Sequence, residues 1–167
     1  MPTPGDTILH RDFALASRLA AVIQTAEELT EKVKTVILAA SLPAPPEQLY
    51  DMYLDSESHS AFTGGAVTIE GRAGGPFRAF NGALTGTILH VEPQRLIVQT
   101  WRSSAWPADA VDSVLVLTFW PDEAGARVEL IHANVPDSDF AGISEGWQKY
   151  YWTPWRAYLT GQAGGDQ

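Results

Sequence analysis

The feature that most constrains this fold is a change of hydrophobic period near Pro136. Before this residue, successive segments are rich in β-branched and apolar residues, and turn residues separate them. After it, aromatic residues recur at helical spacing. The first pattern is typical of strands, and the second is typical of a helix with one buried face. The chain therefore predicts an α+β domain, in which one curved antiparallel sheet wraps around one long C-terminal helix.

Turn residues connect the strand-like segments closely enough to predict an antiparallel meander. Asn81-Gly82 is the strongest hairpin signal, because both residues tolerate positive φ. Glycine-rich or proline-containing turns join the other segments. The six predicted strands are Ala66–Glu70, Pro76–Phe80, Leu84–Val91, Arg95–Arg102, Ser113–Pro121 and Ala126–Ala133.

An earlier strand and two short helices precede this meander. The strand is Lys34–Ser41, and prolines from Pro43 onwards stop it. Pro46 suits the first turn of a helix. A second short helix is expected through His59 to Phe62, with caps at Asp55 and Ser56 and an end at Gly64-Gly65. The sheet therefore has about seven strands, and the two helices follow the first of them.

The segment after Pro136 predicts the long helix. One face carries Ile143, Trp147, Tyr150, Tyr151, Pro154 and Tyr158. Pro154 lies inside the helix and should kink it or loosen one turn, because proline has no backbone N–H. Gly161 and Gly164-Gly165 are expected to end it, and residues 161–167 to form a disordered tail.

Residues 1–32 stand apart from the domain at 33–160 as an N-terminal extension. Leu15, Leu19, Val22 and Ile23 recur at helical spacing and predict an amphipathic helix from Asp12 to Leu29. This helix either packs on the domain or on a second copy of the chain. The alternative is a partly ordered tail.

Composition excludes several classes of function. The net charge of −9 argues against a nucleic-acid groove and against docking on anionic membranes. The chain has no cysteine, and therefore no thiol nucleophile. The longest apolar runs, such as Val36–Ala40, are too short to span a bilayer. Residues 1–10 lack a secretory pattern, so a cytoplasmic location is expected.

Large aromatic residues in the strands and the helix predict an apolar pocket between them. A ligand site of this kind is mostly apolar and carries a few polar groups. Adjacent strand residues face opposite sides, so Trp101 points inward while Thr100 and Arg102 do not. The loop that carries Trp106 is a candidate lid. The candidate ligand-binding residues are Phe62, Phe77, Trp101, Trp106, Phe119, His132, Trp147 and Tyr151.

Four motifs, in the same order, resemble the family named for the activator of heat-shock protein 90 ATPase. They are His59 to Gly65, Gly74 to Phe77, Ile97 to Ser103 and Gly146 to Trp152. That family belongs to the START-like (SRPBCC, Bet v-type) superfamily. The resemblance covers about residues 34–159 and implies the helix-grip fold. It also implies binding of a small hydrophobic molecule by a carrier, sensor or co-chaperone-like protein, with a chaperone as partner. The alternative partner is another copy of the chain, bound through the N-terminal helix.

An enzyme is the alternative, and no catalytic residue is assigned. A polyketide cyclase or dehydratase would use a polar cavity residue such as His132 or Tyr151. His132 shares a strand face with Val128 and Leu130, and a buried histidine bound to a neighbour is the simpler interpretation. The four histidines are too far apart in sequence to predict a metal site, so we expect neither metal nor cofactor.

One hydrolase motif is rejected. Gly142 to Gly146 matches G-x-S-x-G, but it lies within helical periodicity rather than at a turn between strand and helix. No histidine follows Ser144, although the hydrolase order requires one. Ser144 is therefore not expected to act as a nucleophile.

Overall fold

The computed structural model describes residue 15, residues 17–26, residue 28 and residues 32–163. The chain divides into two compact units, Met1–Val33 and Lys34–Gln167. In the first unit, residues 17–26 are helical, as predicted for the segment Asp12 to Leu29. The remainder of that predicted helix, apart from residues 15 and 28, lies outside the described residues. Packing of the helix on the domain or on a second copy stays a prediction.

The second unit is built on a sheet of seven strands. The spatial order is β1-β7-β6-β5-β4-β3-β2, so β2 to β7 form the predicted meander and β1 joins it beside β7. From β2 to β7, each strand is antiparallel to the next. The strands are β1 (Val33–Leu42), β2 (Val67–Ile69), β3 (Pro76–Ala79), β4 (Leu84–Glu92), β5 (Leu96–Ser103), β6 (Ser113–Asp122) and β7 (Gly125–Pro136).

Two short helices follow β1, as predicted: α1 (Pro46–Leu54) and α2 (Ser56–Thr63). Asp55 caps α2, because its side chain accepts a hydrogen bond from the backbone N–H of Ser58 at 2.8 Å. Gly64 ends α2 in the left-handed conformation, with φ 73°. These caps fix where the chain turns back from the helices into β2.

The turn between β3 and β4 contains three consecutive left-handed residues. Asn81 and Gly82 have φ of 58° and 85°, as the hairpin signal predicted. Phe80 also has a positive φ, of 51°, which an aromatic residue rarely adopts. Its ring lies against Gly65, where a Cβ atom would come within 2.4 Å of Cδ1 of Phe80. A glycine at position 65 is therefore required for Phe80 to take this place.

The long C-terminal helix has three parts: α3 (Phe140–Trp147), a π-helical turn (Gln148–Trp152) and α4 (Thr153–Ala163). The turn predicted to loosen next to Pro154 is this π-helical turn. The N–H of Thr153 bonds the carbonyl of Gln148, five residues earlier. Of the two ends predicted for this helix, Gly161 was wrong, because the helix continues to Ala163. A single glycine costs a helix only about 1 kcal/mol. The other predicted end is Gly164-Gly165. Residues 164–167 lie outside the described residues.

The C-terminal helix covers the inner face of the sheet. Leu115, Leu117 and Phe119 alternate inward on β6, and Val128, Leu130 and His132 do so on β7. Trp101 is also inward and buried, as its strand parity predicted. Helix and sheet therefore form the helix-grip fold that the resemblance implied. Within the described part of the chain, no helix is long and apolar enough to span a membrane.

Candidate functional site

A cavity of about 430 Å³ lies between one end of the sheet and the first half of the C-terminal helix. The start of β4 and the end of β5 form one wall, and α3 with the π-helical turn forms the other. Most of its lining is apolar. The aromatic residues on the cavity are Phe80, Trp101, Trp147, Tyr150 and Tyr151.

Two glycines leave space in the cavity on the side of the helix. Gly142 and Gly146 line the cavity one helical turn apart on α3. A Cβ atom at Gly146 would meet only the ring of Tyr150, at 3.7 Å, which is an ordinary contact. Larger side chains at this position would extend into the cavity. The two glycines of the rejected G-x-S-x-G motif therefore have a structural role, because they leave space for the cavity.

Ser144, between these glycines, is not a free hydroxyl. Its Oγ donates a hydrogen bond to the carbonyl of Phe140, one turn earlier in α3, at 2.7 Å. A nucleophilic serine needs a base within hydrogen-bond reach. The geometry of Ser144 is that of an ordinary helical serine.

The loop after β5 is tied down at both of its ends. The guanidinium of Arg102 donates to the carbonyls of Pro107 and Ala110, each at 2.7 Å, and to Oδ1 of Asp112 at 2.9 Å. Nε1 of Trp106 donates to Oδ2 of Asp139, which lines the cavity, at 2.7 Å. Arg102 therefore lies on the outer side of the sheet, as its strand parity required, and its hydrogen bonds hold the loop there.

His132 is buried behind Trp147, and its protonation state follows from its partners. The hydroxyl of Ser113 has one proton, which it donates to the carbonyl of Trp101 at 2.7 Å. It must then accept from Nε2–H of His132, also at 2.7 Å. Nε1–H of Trp147 donates to Nδ1 of His132 at 3.3 Å. His132 is therefore a neutral ring, and burial lowers its pKa to about 4.

His59 forms a second buried network on the other side of Tyr151. Its Nδ1 lies 2.7 Å from the carbonyl of Tyr53, which can only accept, so Nδ1 carries the proton. Nε2 then accepts from the hydroxyl of Tyr151, at 3.3 Å. Burial lowers the pKa of His59 to about 4, although the bond to Tyr53 opposes this shift. Burial also raises the pKa of the Tyr151 hydroxyl, which stays protonated.

The structure divides the eight candidate residues into three groups. Trp101, Trp147 and Tyr151 line the cavity. Trp106 and His132 each bond a residue on the lining. Phe62, Phe77 and Phe119 are buried core residues outside the lining: Phe62 stacks on Trp155, Phe77 lies near His59, and Phe119 packs against Tyr50. That any of the eight contacts a ligand stays a prediction.

Nine of the twelve lining residues were not among the candidates, and they include Phe80, Asp139 and the glycine pair. Phe80 reaches the cavity from a left-handed backbone conformation. Phenylalanine rarely adopts this conformation, so the sequence gives no signal for it. The glycines did carry a signal, since two of them one turn apart inside a helix require a packing reason. Within residues 32–163 and the described helical residues before them, no three potential metal ligands cluster.

Comparison with known proteins relates the chain to one family of proteins. The family model described as "Activator of Hsp90 ATPase homolog 1-like protein" matches residues 43–160. "Activator of 90 kDa heat shock protein ATPase homolog" from Dictyostelium discoideum is 31% identical over 117 residues, which is 70% of this chain and 30% of that protein. The human "Activator of 90 kDa heat shock protein ATPase homolog 1" is 28% identical over 116 residues, 70% of this chain and 34% of that protein. The chain thus spans about a third of these relatives.

Solved structures share the fold. An Hsp90 activator from Plasmodium falciparum superposes with a TM-score of 0.67 at 19% identity, covering 77% of this chain and 96% of that one. CalU16 from Micromonospora echinospora superposes with a TM-score of 0.62 at 22% identity, covering 80% and 78%. At these identities the likeness shows the architecture alone.

Proposed function

The chain belongs to the family of Activator of Hsp90 ATPase homolog 1-like proteins, and from this premise we propose that it binds a small hydrophobic molecule in the cavity beside its C-terminal helix. The observation that supports the proposal is the aromatic wall of a cavity of about 430 Å³. That volume lies within the usual range of ligand sites, about 300–1,000 Å³.

Filling the cavity from the helix tests this proposal. In Gly146→Leu, the new side chain occupies the ligand's space while its Cβ makes only an ordinary contact. We expect the affinity for a neutral aromatic probe, 2-naphthalenemethanol, to fall at least about tenfold, because apolar area on the ligand is no longer buried. Isothermal titration calorimetry measures the change.

Gly161→Leu is the matched control for this variant. It makes the same substitution in the same long helix, at a position where a Cβ atom meets no described atom within 4 Å. Gly161 does not line the cavity. Its affinity should equal that of the parent chain. Cavity binding would be contradicted if the parent chain and both variants bound the probe with equal affinity, or if none of the three bound it.

Catalysis has less support from the same geometry. A general acid or base must reach the reacting atom through a hydrogen bond. Both ring nitrogens of His132 are engaged with Ser113 and Trp147, and the hydroxyl of Tyr151 donates to His59. A cyclase or dehydratase would have to break one of these buried networks before its chemistry. Binding without turnover is the simpler proposal.

A chaperone of the 90 kDa heat-shock class is a second candidate partner. The support is the family itself, together with relatives that are named for activation of that chaperone's ATPase. We expect the chain to raise the ATPase rate of a purified Hsp90, measured by phosphate release. An ATPase rate that stays unchanged when this chain is present at a saturating concentration would count against this role.

A further inference from the structure

The cavity has a strongly unequal distribution of charge. Among the described residues that line it, Asp139 is the one charged side chain, and no lysine, arginine or histidine is present. Lys149 does not line the cavity, although its Nζ lies 5.1 Å from the centroid of the Tyr150 ring, which does. Lys34 is already paired with Asp137.

The carboxylate of Asp139 does not cap the helix that begins after it. The residue occupies the N-cap position of α3, yet its side chain makes no capping hydrogen bond. Oδ2 accepts from Nε1 of Trp106, and within the described residues Oδ1 has no hydrogen-bond partner. Oδ1 lies only 2.6 Å from where a Cβ atom at position 142 would be, so Gly142 is needed for this placement.

The aromatic wall of the cavity also favours a positively charged ligand group. The faces of tryptophan and tyrosine rings carry negative charge density and attract a cation within about 6 Å. Trp101, Trp147, Tyr150 and Tyr151 all line the space that Asp139 reaches. The N-terminus of α3 would by itself favour an anion, but the negative charge of Asp139, which lines the cavity there, would repel one.

We propose that the ligand of this cavity is a hydrophobic molecule that carries a protonated amine, and that Asp139 binds the amine through Oδ1. This inference rests on the proposed function, and names the class of ligand for the same cavity. Fatty acids, phospholipids and other amphiphiles with an anionic head are excluded as preferred ligands. A charge-assisted hydrogen bond is about twice as strong as a neutral one and becomes stronger in an apolar site.

Three probes with one ring system separate the two proposals. They are 2-naphthylmethylamine, 2-naphthalenemethanol and 2-naphthoic acid, titrated at pH 7 by calorimetry. We expect the amine to bind about tenfold tighter than the alcohol, and the acid to bind weaker than the alcohol. In Asp139→Asn, which keeps an oxygen to accept from Trp106, the amine should lose that advantage.

Asp109→Asn is the matched control, because it removes the same charge from an exposed side chain that does not line the cavity. It should keep the order amine, alcohol, acid. If the alcohol binds and the acid binds as well as the amine, or if Asp139→Asn keeps the order, the amine preference is wrong while cavity binding stands. If none of the three probes binds the parent chain, the proposed function fails and this inference fails with it.

Discussion

Acidification from pH 7 to pH 4 is expected to lower the free energy of unfolding by about 6 kcal/mol, because two histidines are buried as neutral rings. His59 and His132 are both fully inaccessible to solvent. Burial lowers the pKa of each from 6.5 to about 4. A pKa difference of one unit between folded and unfolded chains is worth about 1.4 kcal/mol, which gives about 3 kcal/mol for each histidine.

The direction of the effect follows from proton uptake. Between pH 6.5 and 4, the unfolded chain protonates both histidines and the folded chain does not. Stability is therefore complete above pH 6.5 and falls as the pH drops towards 4. Asp55, whose pKa is lowered by hydrogen bonds from Ser58, titrates below this window. A loss of about 6 kcal/mol is most of the stability of an ordinary domain.

Urea denaturation at a series of pH values measures this slope. His59→Gln and His132→Gln should each remove about half of it, whatever their effect on stability at pH 7. Within the described part of the chain, no charged side chain is among the hydrogen-bond and ring partners of either histidine. These partners are Tyr53, Phe62, Phe77, Tyr151, Trp101, Ser113 and Trp147. A stability that stays flat from pH 7 to pH 5 would show that one or both rings are solvated.

Trp147→Ala is expected to destabilise the domain by about 3–5 kcal/mol, which is usual for a buried tryptophan. The ring is only 3% exposed, and it packs at a centroid distance of 4.3 Å from Tyr151 and 5.6 Å from Trp152. Its loss also leaves Nδ1 of His132 without a donor. The cavity should become larger by the volume of the indole. Urea denaturation at pH 7 measures the destabilisation.

Trp147→Phe separates packing from the hydrogen bond. It keeps an aromatic ring against Tyr151 but removes the donor to His132, so we expect a loss of about 1–2 kcal/mol. A loss below about 1 kcal/mol for Trp147→Ala would show that this ring does not support the helix on the sheet. Equal losses for the two variants would assign the whole effect to the hydrogen bond.

Local chemistry in the sequence was sufficient to predict the frame of the fold. Pro154 has no N–H, so a helical bond had to be lost near it, and the π-helical turn is the result. Asn81-Gly82 could be assigned to a left-handed turn by residue type alone. Strand parity placed Trp101 inside and Arg102 outside. In each case the cause lies within a few residues of its effect.

The lining of the cavity depended on contacts between distant segments. Phe62, Phe77 and Phe119 have the same apolar character as Trp101, and only the packing of rings such as Trp155 on Phe62 decides which of them reach the cavity. Phe80 takes its left-handed backbone in a turn whose ring must fit against Gly65. Asp139 is drawn to the cavity by Trp106, 33 residues earlier. Neither spacing nor composition encodes such pairings.

The six tryptophans offer the most direct measurement of where a ligand binds. In an ¹H–¹⁵N spectrum with assigned indole signals, titration with 2-naphthalenemethanol should shift the Nε1–H signals of Trp101 and Trp147, which line the cavity. The signal of Trp120, which is 41% exposed and lies next to Arg95, should stay in place. Shifts at Trp120 without shifts at Trp101 and Trp147 would contradict the account.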